Sequence, residues 1–343
     1  MRINYKAVIL ACVASGALAA ASQAVNAQDK KQVVFIGAPL NNPYQAALVN
    51  SVQKFGAEQG FEMLTAKQGE SYEAVAQINN INTMIDAGVD GIMLQAIEGK
   101  GLKVALDRAE TAGVKVVTVG AGPDAGYGNT FMMVGASPES QGRKSCEQLG
   151  PAMGGKGKVL ELQGDLAAGD VAVLRSKGFN DCMKEKFPEI QVLSHDAGWL
   201  ADKAASITEV VLSTDPDVTG VQLAGDAVYL DSVVNALRRQ NRLHNVGEEG
   251  HVSIVGIDGS PAALSAIREG YVDAAIEHSA VGYAKWSSFY LKAAFDGKTF
   301  EAGPTDHNSE IVKQGDNLID QLEPVVITKE NVDSPDLWAN NAN

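Results

Sequence analysis

Short apolar runs alternate with amphipathic helical stretches along most of the chain, and this rhythm constrains the fold more than any other feature of the sequence. Residues 33–36 form a β-branched and aromatic run that ends at Gly37. After Asn42-Pro43, the residues Ala46, Val49, Val52 and Phe55 recur at three-residue spacing, which predicts a helix. Residues 61–64, 91–94 and 115–119 read as further strands, with helices over 72–87 and 101–112 between them. The pattern then repeats, with strands at 158–162, 191–193, 218–223 and 252–257 and helices over 171–186, 202–213 and 227–241. Strands alternating with helices of this length predict an α/β fold, with parallel sheets covered on both faces. Two such series predict two lobes, the first change of lobe falling near residues 131–137.

Three helix starts share one grammar. Asn42-Pro43, Ser137-Pro138 and Ser260-Pro261 each place a capping side chain before a proline at the first helical position. Each follows a strand, so each brings backbone N–H groups to the carboxyl edge of a sheet, where open α/β proteins bind ligands. Ser137 taken alone is explained by capping; the three together point to a site.

The N-terminus gives the compartment. Arg2 and Lys6 precede an apolar run from Ala7 to Ala21, and Val25-Asn26-Ala27 supplies a small-x-small cleavage signal. This is the layout of a secretory signal peptide spanning 1–27, cleaved near Ala27, and it predicts export to the periplasm. Cleavage before Cys12, as in a lipoprotein, would leave too little of the apolar run in front. Removing 1–27 takes away two positive charges and moves the formal charge from −14 to −16. So acidic a chain repels phosphate backbones, which argues against a nucleic-acid partner. Cys146 and Cys182 remain after cleavage, and in an oxidising compartment they read either as a disulfide or as two small buried residues on separate helices. The five histidines are scattered without metal-ligand spacing, so no metal and no cofactor are expected.

Two glycine motifs have to be set aside. Gly120-Ala121-Gly122-Pro123-Asp124-Ala125 fits a dinucleotide fingerprint, but Pro123 and the following Gly126-Tyr127-Gly128-Asn129 favour a loop where that fingerprint needs a helix. Gly154-Gly155-Lys156-Gly157-Lys158 precedes a strand, the wrong end for a phosphate loop. No G-x-S-x-G elbow occurs, and no enzyme is expected.

Several segments taken in order resemble the periplasmic sugar-binding proteins of ABC importers, of the ribose- and galactose-binding type. They are Leu40-Asn41-Asn42-Pro43-Tyr44, Ala87-Gly88-Val89-Asp90-Gly91-Ile92-Met93-Leu94, Gly155-Lys156-Gly157-Lys158-Val159, Arg175-Ser176-Lys177-Gly178-Phe179 and Val255-Gly256-Ile257-Asp258-Gly259-Ser260-Pro261. The similarity runs from about Val33 to about Lys298. It implies two Rossmann-like lobes joined by three crossover segments, with a ligand held between them. The lobes implied are 28–136 plus 279–302 and 137–278 plus 303–343. The lac-repressor-type regulators share that core but begin with a helix-turn-helix domain, where this acidic chain has a signal peptide.

Carried over residue by residue, the resemblance implies ligand contacts from Asn41, Asn42, Tyr44, Gln95, Ser137, Trp199, Asp226, Asp258 and His278. Carboxylate and amide groups suit paired hydroxyls, and an aromatic ring suits the apolar face of a sugar. Three positions depart from the ribose-type pattern: Gly120 replaces an aspartate, Val173 an arginine and Gly225 an asparagine. Arg143, Arg175 or Asp170 would have to compensate. The implied function is a monomeric solute-binding protein that closes on a monosaccharide or sugar alcohol and delivers it to an inner-membrane permease. A ligand-presenting partner of a chemoreceptor or quorum sensor, and an exported sugar-processing enzyme, are the alternatives.

Overall fold

The computed structural model describes residues 30–40, 43–65, 74–167 and 170–341. The expected signal peptide and its cleavage point lie outside these residues. Strands β1 (Gln32–Ile36), β2 (Glu62–Leu64), β3 (Gly91–Leu94) and β4 (Lys115–Thr118) form a parallel sheet in the order β2-β1-β3-β4. Helices α1 (Pro43–Glu58), α2 (Ala74–Asp86) and α3 (Lys103–Thr111) connect them. All four residues of β3 are buried, as expected for a strand covered by helices on both faces. β5 (Met133–Gly135) continues this sheet, because Phe131 N–H donates to Val116 O and Gly120 N–H donates to Val134 O.

After α4 (Pro138–Ala152) the same winding recurs. β6 (Lys156–Gln163), α5 (Asp170–Lys186), β7 (Glu189–Asp196), α6 (Ala201–Thr214), β8 (Val218–Leu223), α7 (Asp226–Arg239), β9 (Ser253–Asp258), α8 (Pro261–Glu269) and β10 (Ala274–Glu277) follow in turn. Their strands form a parallel sheet in the order β7-β6-β8-β9-β10. Both sheets reverse their winding beside their first strand, which places two ligand-binding crevices at the carboxyl ends. The sequence foresaw nearly all of these elements to within a few residues.

The end of the chain crosses back and forth. α9 (Ala280–Phe295) packs on α1 and β4 of the first lobe. β11 (Gly303–Pro304), β12 (Ser309–Gln314) and β13 (Asn317–Leu322) then form an antiparallel run, and β13 joins β5 in parallel. β14 (Val326–Ile327) returns to the second sheet, antiparallel to β10. The sequence reading gave all of 303–343 to the second lobe. Within that stretch β13 pairs with β5 and carries β12 and β11 with it, while β14 pairs with β10 of the second sheet. The chain therefore passes between lobes three times: from β5 to α4, from β10 to α9 and from β13 to β14.

Ser137 and Ser260 cap α4 and α8 as their sequences predict, accepting from Ser140 N–H and Ala263 N–H, each at 3.2 Å. Asn42 lies outside the described residues. Cys146 and Cys182 form a disulfide between α4 and α5, buried among Leu149, Phe179 and Met183, which decides between the two readings of that pair.

Candidate ligand-binding site

The carboxyl ends of both sheets face a cavity of about 160 Å³. The first lobe lines it with Tyr44 after β1, Gln95 after β3 and Gly120 after β4. The second lobe contributes Arg175 from α5, Trp199 after β7, Asp258 at the end of β9 and His278 after β10.

Arg175 organises the second-lobe wall. Its guanidinium is buried, with Nε donating to Gln141 Oε1 at 3.0 Å and Nη1 donating to Ala224 O at 2.7 Å. Nη1 also lies 3.7 Å from Asp258 Oδ1, and the guanidinium carbon is 6.0 Å from the centre of the Trp199 ring. Because guanidinium can only donate, Gln141 must accept through Oε1 and offer its NH2 to His278 Nδ1, 3.1 Å away. His278 Nδ1 is then an acceptor, so the ring proton is assigned to Nε2, which borders the space left beside Gly120. Burial and the nearby Arg175 charge hold His278 well below its ordinary pKa, so it is a neutral donor.

Asp226 and Asp258 form a buried acid pair. Asp226 accepts from the Gly259 and Ser260 N–H groups, both at 2.9 Å. It is therefore the better-stabilised carboxylate, although burial pushes its pKa up. Asp258 is pushed further, to about 8, by burial first and then by the Asp226 charge, with Arg175 opposing. The proton of the pair thus belongs on Asp258 at neutral pH, which equips it to donate as well as accept. Its backbone is strained, with φ at 130°. Four described non-glycine residues have positive φ, and two of them are asparagines, the type that tolerates it; the other two are Trp199 and Asp258, both in this cavity. The Asp258 carbonyl is fixed by Trp338 Nε1 at 2.8 Å and His278 N–H at 3.1 Å.

The first-lobe wall is less satisfied. Tyr44 is buried with its ring 4.8 Å from His278 and edge-on to Trp338, yet its hydroxyl has no hydrogen-bond partner among the described residues. Leaving a buried hydroxyl unpaired costs about 1–3 kcal/mol, so the site is set for an incoming polar group. Gln95 Oε1 accepts from Ala38 N–H at 3.2 Å, which leaves its NH2 to offer.

Of the residues expected from sequence, Tyr44, Gln95, Trp199, Asp258 and His278 come together around this cavity. Asn41 and Asn42 lie outside the described residues. Ser137 does not line it; its hydroxyl caps α4, beside a second cavity of about 300 Å³. Asp226 stands behind the wall, holding the 258–260 turn. Of the possible compensators, Arg143 is on the surface, paired with Glu185, whereas Arg175 and Asp170 line the cavity. Val173 is exposed, so the guanidinium comes from two residues further along α5.

The other two departures have steric reasons. At Gly225 a Cβ would fall 3.1 Å from the Trp199 indole and 3.3 Å from Asp258 Oδ2, so the indole takes the room an asparagine would need. Gly120 has φ at 80°, and a Cβ there would fall 3.5 Å from Tyr44 Oη and 3.6 Å from His278 Nε2. Sequence reasoning missed Gln141 and Trp338: Gln141 holds Arg175 and His278, and Trp338 packs edge-on to Tyr44 and donates to the Asp258 carbonyl. No local pattern marks such residues. Among the described residues no group of three or more His, Cys, Asp or Glu could hold a metal ion.

Two doubly wound lobes facing one such cavity recur among proteins of known family. Residues 33–299 match the family model described as "Periplasmic binding protein domain", which is most of the chain. The chain belongs to the periplasmic binding protein family. Within this family it is 29% identical to the xylitol-binding protein of Mycolicibacterium smegmatis over 199 residues, 57% of this chain and 53% of that protein. The match to that relative thus spans about half its length. The ribose import binding protein RbsB of Bacillus subtilis is 23% identical over 238 residues, covering 69% of this chain and 72% of RbsB. The structure of an ABC transporter periplasmic solute-binding protein from Actinobacillus succinogenes with bound D-allose superposes with a TM-score of 0.75. It is 20% identical, covers 88% of this chain and 99% of its own, and confirms the two-lobed fold.

Proposed function

We propose that this periplasmic binding protein is the solute-binding component of an ABC importer and that it carries a monosaccharide or sugar alcohol, unaltered, between its lobes. The observation that carries this reading is the composition of the cavity: a buried unpaired hydroxyl (Tyr44), a neutral imidazole donor (His278), an amide (Gln95), a carboxyl (Asp258) and an indole (Trp199). Such a set matches the alternating hydroxyls and apolar face of a polyol. The relatives named for xylitol and ribose support that ligand class. They are named as binding proteins, which supports a carrier rather than an enzyme.

In this reading the first lobe comprises residues up to 136 together with 279–322, and the second comprises 137–278 together with 323–341. A ligand that contacts both lobes only when they are closed shifts the population toward closure. The three crossings are the hinge, the closed shape is what the inner-membrane permease reads, and the protein works as a periplasmic monomer with its signal peptide removed.

The test is a thermal-shift screen of pentoses, hexoses and sugar alcohols, followed by calorimetry. A ligand at 100 times its Kd raises stability by about 2.7 kcal/mol. We expect at least one such shift, a change in Trp199 fluorescence, and recovery of the ligand chemically intact. A ligand consumed during the experiment, or a screen in which no member binds, would overturn the reading.

A further inference from the structure

The cavity is unevenly charged. Among the described residues five carboxyls line it, from Glu98, Asp124, Asp165, Asp170 and Asp258, against a single guanidinium, that of Arg175. Arg175 is already engaged with Gln141, Ala224 and Asp258, so of the five carboxyls it meets Asp258. Of the other four, Asp124 feels the charges of both Asp170 and Glu98.

Two of these face each other across the lobes. Asp124 belongs to the loop after β4, and Asp170 opens α5. Both border the main cavity and the second cavity beside it. Asp124 is buried in a built seat: its N–H donates to Gly99 O at 3.0 Å, and any Cβ at position 99 would fall 1.8 Å from Asp124 Oδ1. Its other oxygen, Oδ2, is buried and receives no donor among the described residues. The carboxyl it meets, that of Asp170, offers a hydrogen only when protonated. Burial, Asp170 and Glu98 raise the Asp124 pKa to about 6, and Lys100 offsets this in part. Lys100 is not part of the lining; its ammonium lies 6.0 Å from the Tyr127 ring centre. Lys313 of β12 borders only the second cavity.

A hydroxyl can donate to such a pair but cannot cancel its charge; an ammonium does both, with three donors. Building on the carrier reading above, we propose that the ligand is an amino-substituted sugar or polyol whose ammonium seats against Asp124 and Asp170. The pair is completed only when the lobes close. Repulsion between its members therefore opposes closure of the empty protein, and the cationic ligand relieves it. Tyr44, whose unpaired hydroxyl lines the same cavity, takes a ligand hydroxyl or ring oxygen further in.

The test is calorimetry at pH 7 with matched pairs of four- to six-carbon sugars and polyols, each pair differing only by an amino group in place of one hydroxyl. An amine should bind roughly tenfold or more tightly than its neutral partner, as a charge-assisted bond predicts. Asp124→Asn with Asp170→Asn should erase that preference; the melting temperature of the unliganded variant checks that it folds. Neutral partners binding as well as or better than amines would overturn this proposal and leave the carrier reading intact. A thermal shift with potassium or calcium chloride alone would also overturn it, by assigning the pair to a bare cation. Binding by no member of either class would overturn both.

Discussion

The two walls of the cavity are built differently. On the second-lobe side the polar groups around Arg175 hold one another before any ligand arrives: Arg175 with Gln141 and Ala224, Gln141 with His278, Asp226 with the 258–260 turn, and Asp258 with Arg175. On the first-lobe side Tyr44 is buried with its hydroxyl unpaired. The second lobe is thus a preorganised seat, and the first is a cover that completes its hydrogen bonding on closure. Preorganisation places most of the binding energy in the seat, because groups already fixed lose little freedom on binding.

The largest effect expected from this difference is at Arg175. Arg175→Ala leaves the buried Asp226–Asp258 pair without its cation and lets Gln141 and His278 reorient. Removing one partner of a buried charge pair costs about 3–5 kcal/mol of stability, and with the seat's polar groups released calorimetry should show a larger loss of affinity than any other substitution named here. Arg175→Lys should recover only part, lacking the planar fork that reaches Gln141 and Ala224 together. A loss at Arg175→Ala smaller than at Tyr44→Phe would reverse the assignment of seat and cover.

Next in size is the disulfide. Cys146 and Cys182 join α4 and α5, the helices that carry Gln141 and Arg175. Replacing both cysteines with serine should lower unfolding free energy by about 2–4 kcal/mol. Hydrogen exchange should show the loosening in α4 and α5, not in the first sheet. Equal loosening of both lobes would mean that the bond does not act on the seat alone. Tyr44→Phe comes third: it removes one hydroxyl, weakening binding roughly two- to tenfold. The ligand-free protein should hold its melting temperature or gain, since an unpaired buried hydroxyl is lost.

The seat and the cover also differ in how far sequence revealed them. The doubly wound order was legible because period-2 and period-3.6 patterns record burial locally, and strand ends then locate the crevices. Tyr44, Gln95, Trp199, Asp258 and His278 were legible because the family resemblance carries over to those positions residue by residue. Arg175 was displaced by two residues from its expected position, and only the packing of α5 shows that it, not Val173, faces inward. Asp226 carried the right chemistry for a ligand contact, but its partners, Gly259 and Ser260, are 33 and 34 residues away in the chain. Trp338 reaches Asp258 across 80 residues, and the β12–β13 hairpin joins β5 across more than 180. Contacts of that range leave no periodic trace. The strain at Asp258 was invisible for the same reason, being held by the fold around it and not by its neighbours in sequence.

The smallest effect expected is the pH response, and it too should belong to the seat. Asp258 is raised to about 8 and Glu277 to about 7, each chiefly by burial, and both stand at the ends of second-sheet strands. A carboxyl with a raised folded-state pKa holds its proton more tightly when folded than when unfolded. Its contribution to stability is fully present below the unfolded value, near 4, and is lost as pH rises through the folded value. Stability should therefore decline between about pH 4 and pH 8, the reverse of a protein held together by ionised carboxylates. Asp226 and Asp258 share this titration, so the decline attributable to Asp258 is read from the difference between the wild type and a variant that cannot ionise there. Asp258→Asn keeps the shape and hydrogen-bonding capacity of the neutral acid but cannot ionise. Its melting temperature should lie close to that of the wild type at pH 5 and exceed the wild-type value at pH 8. If the two profiles stayed parallel across that range, the proton would not reside on Asp258, and the seat would hold an ionised pair.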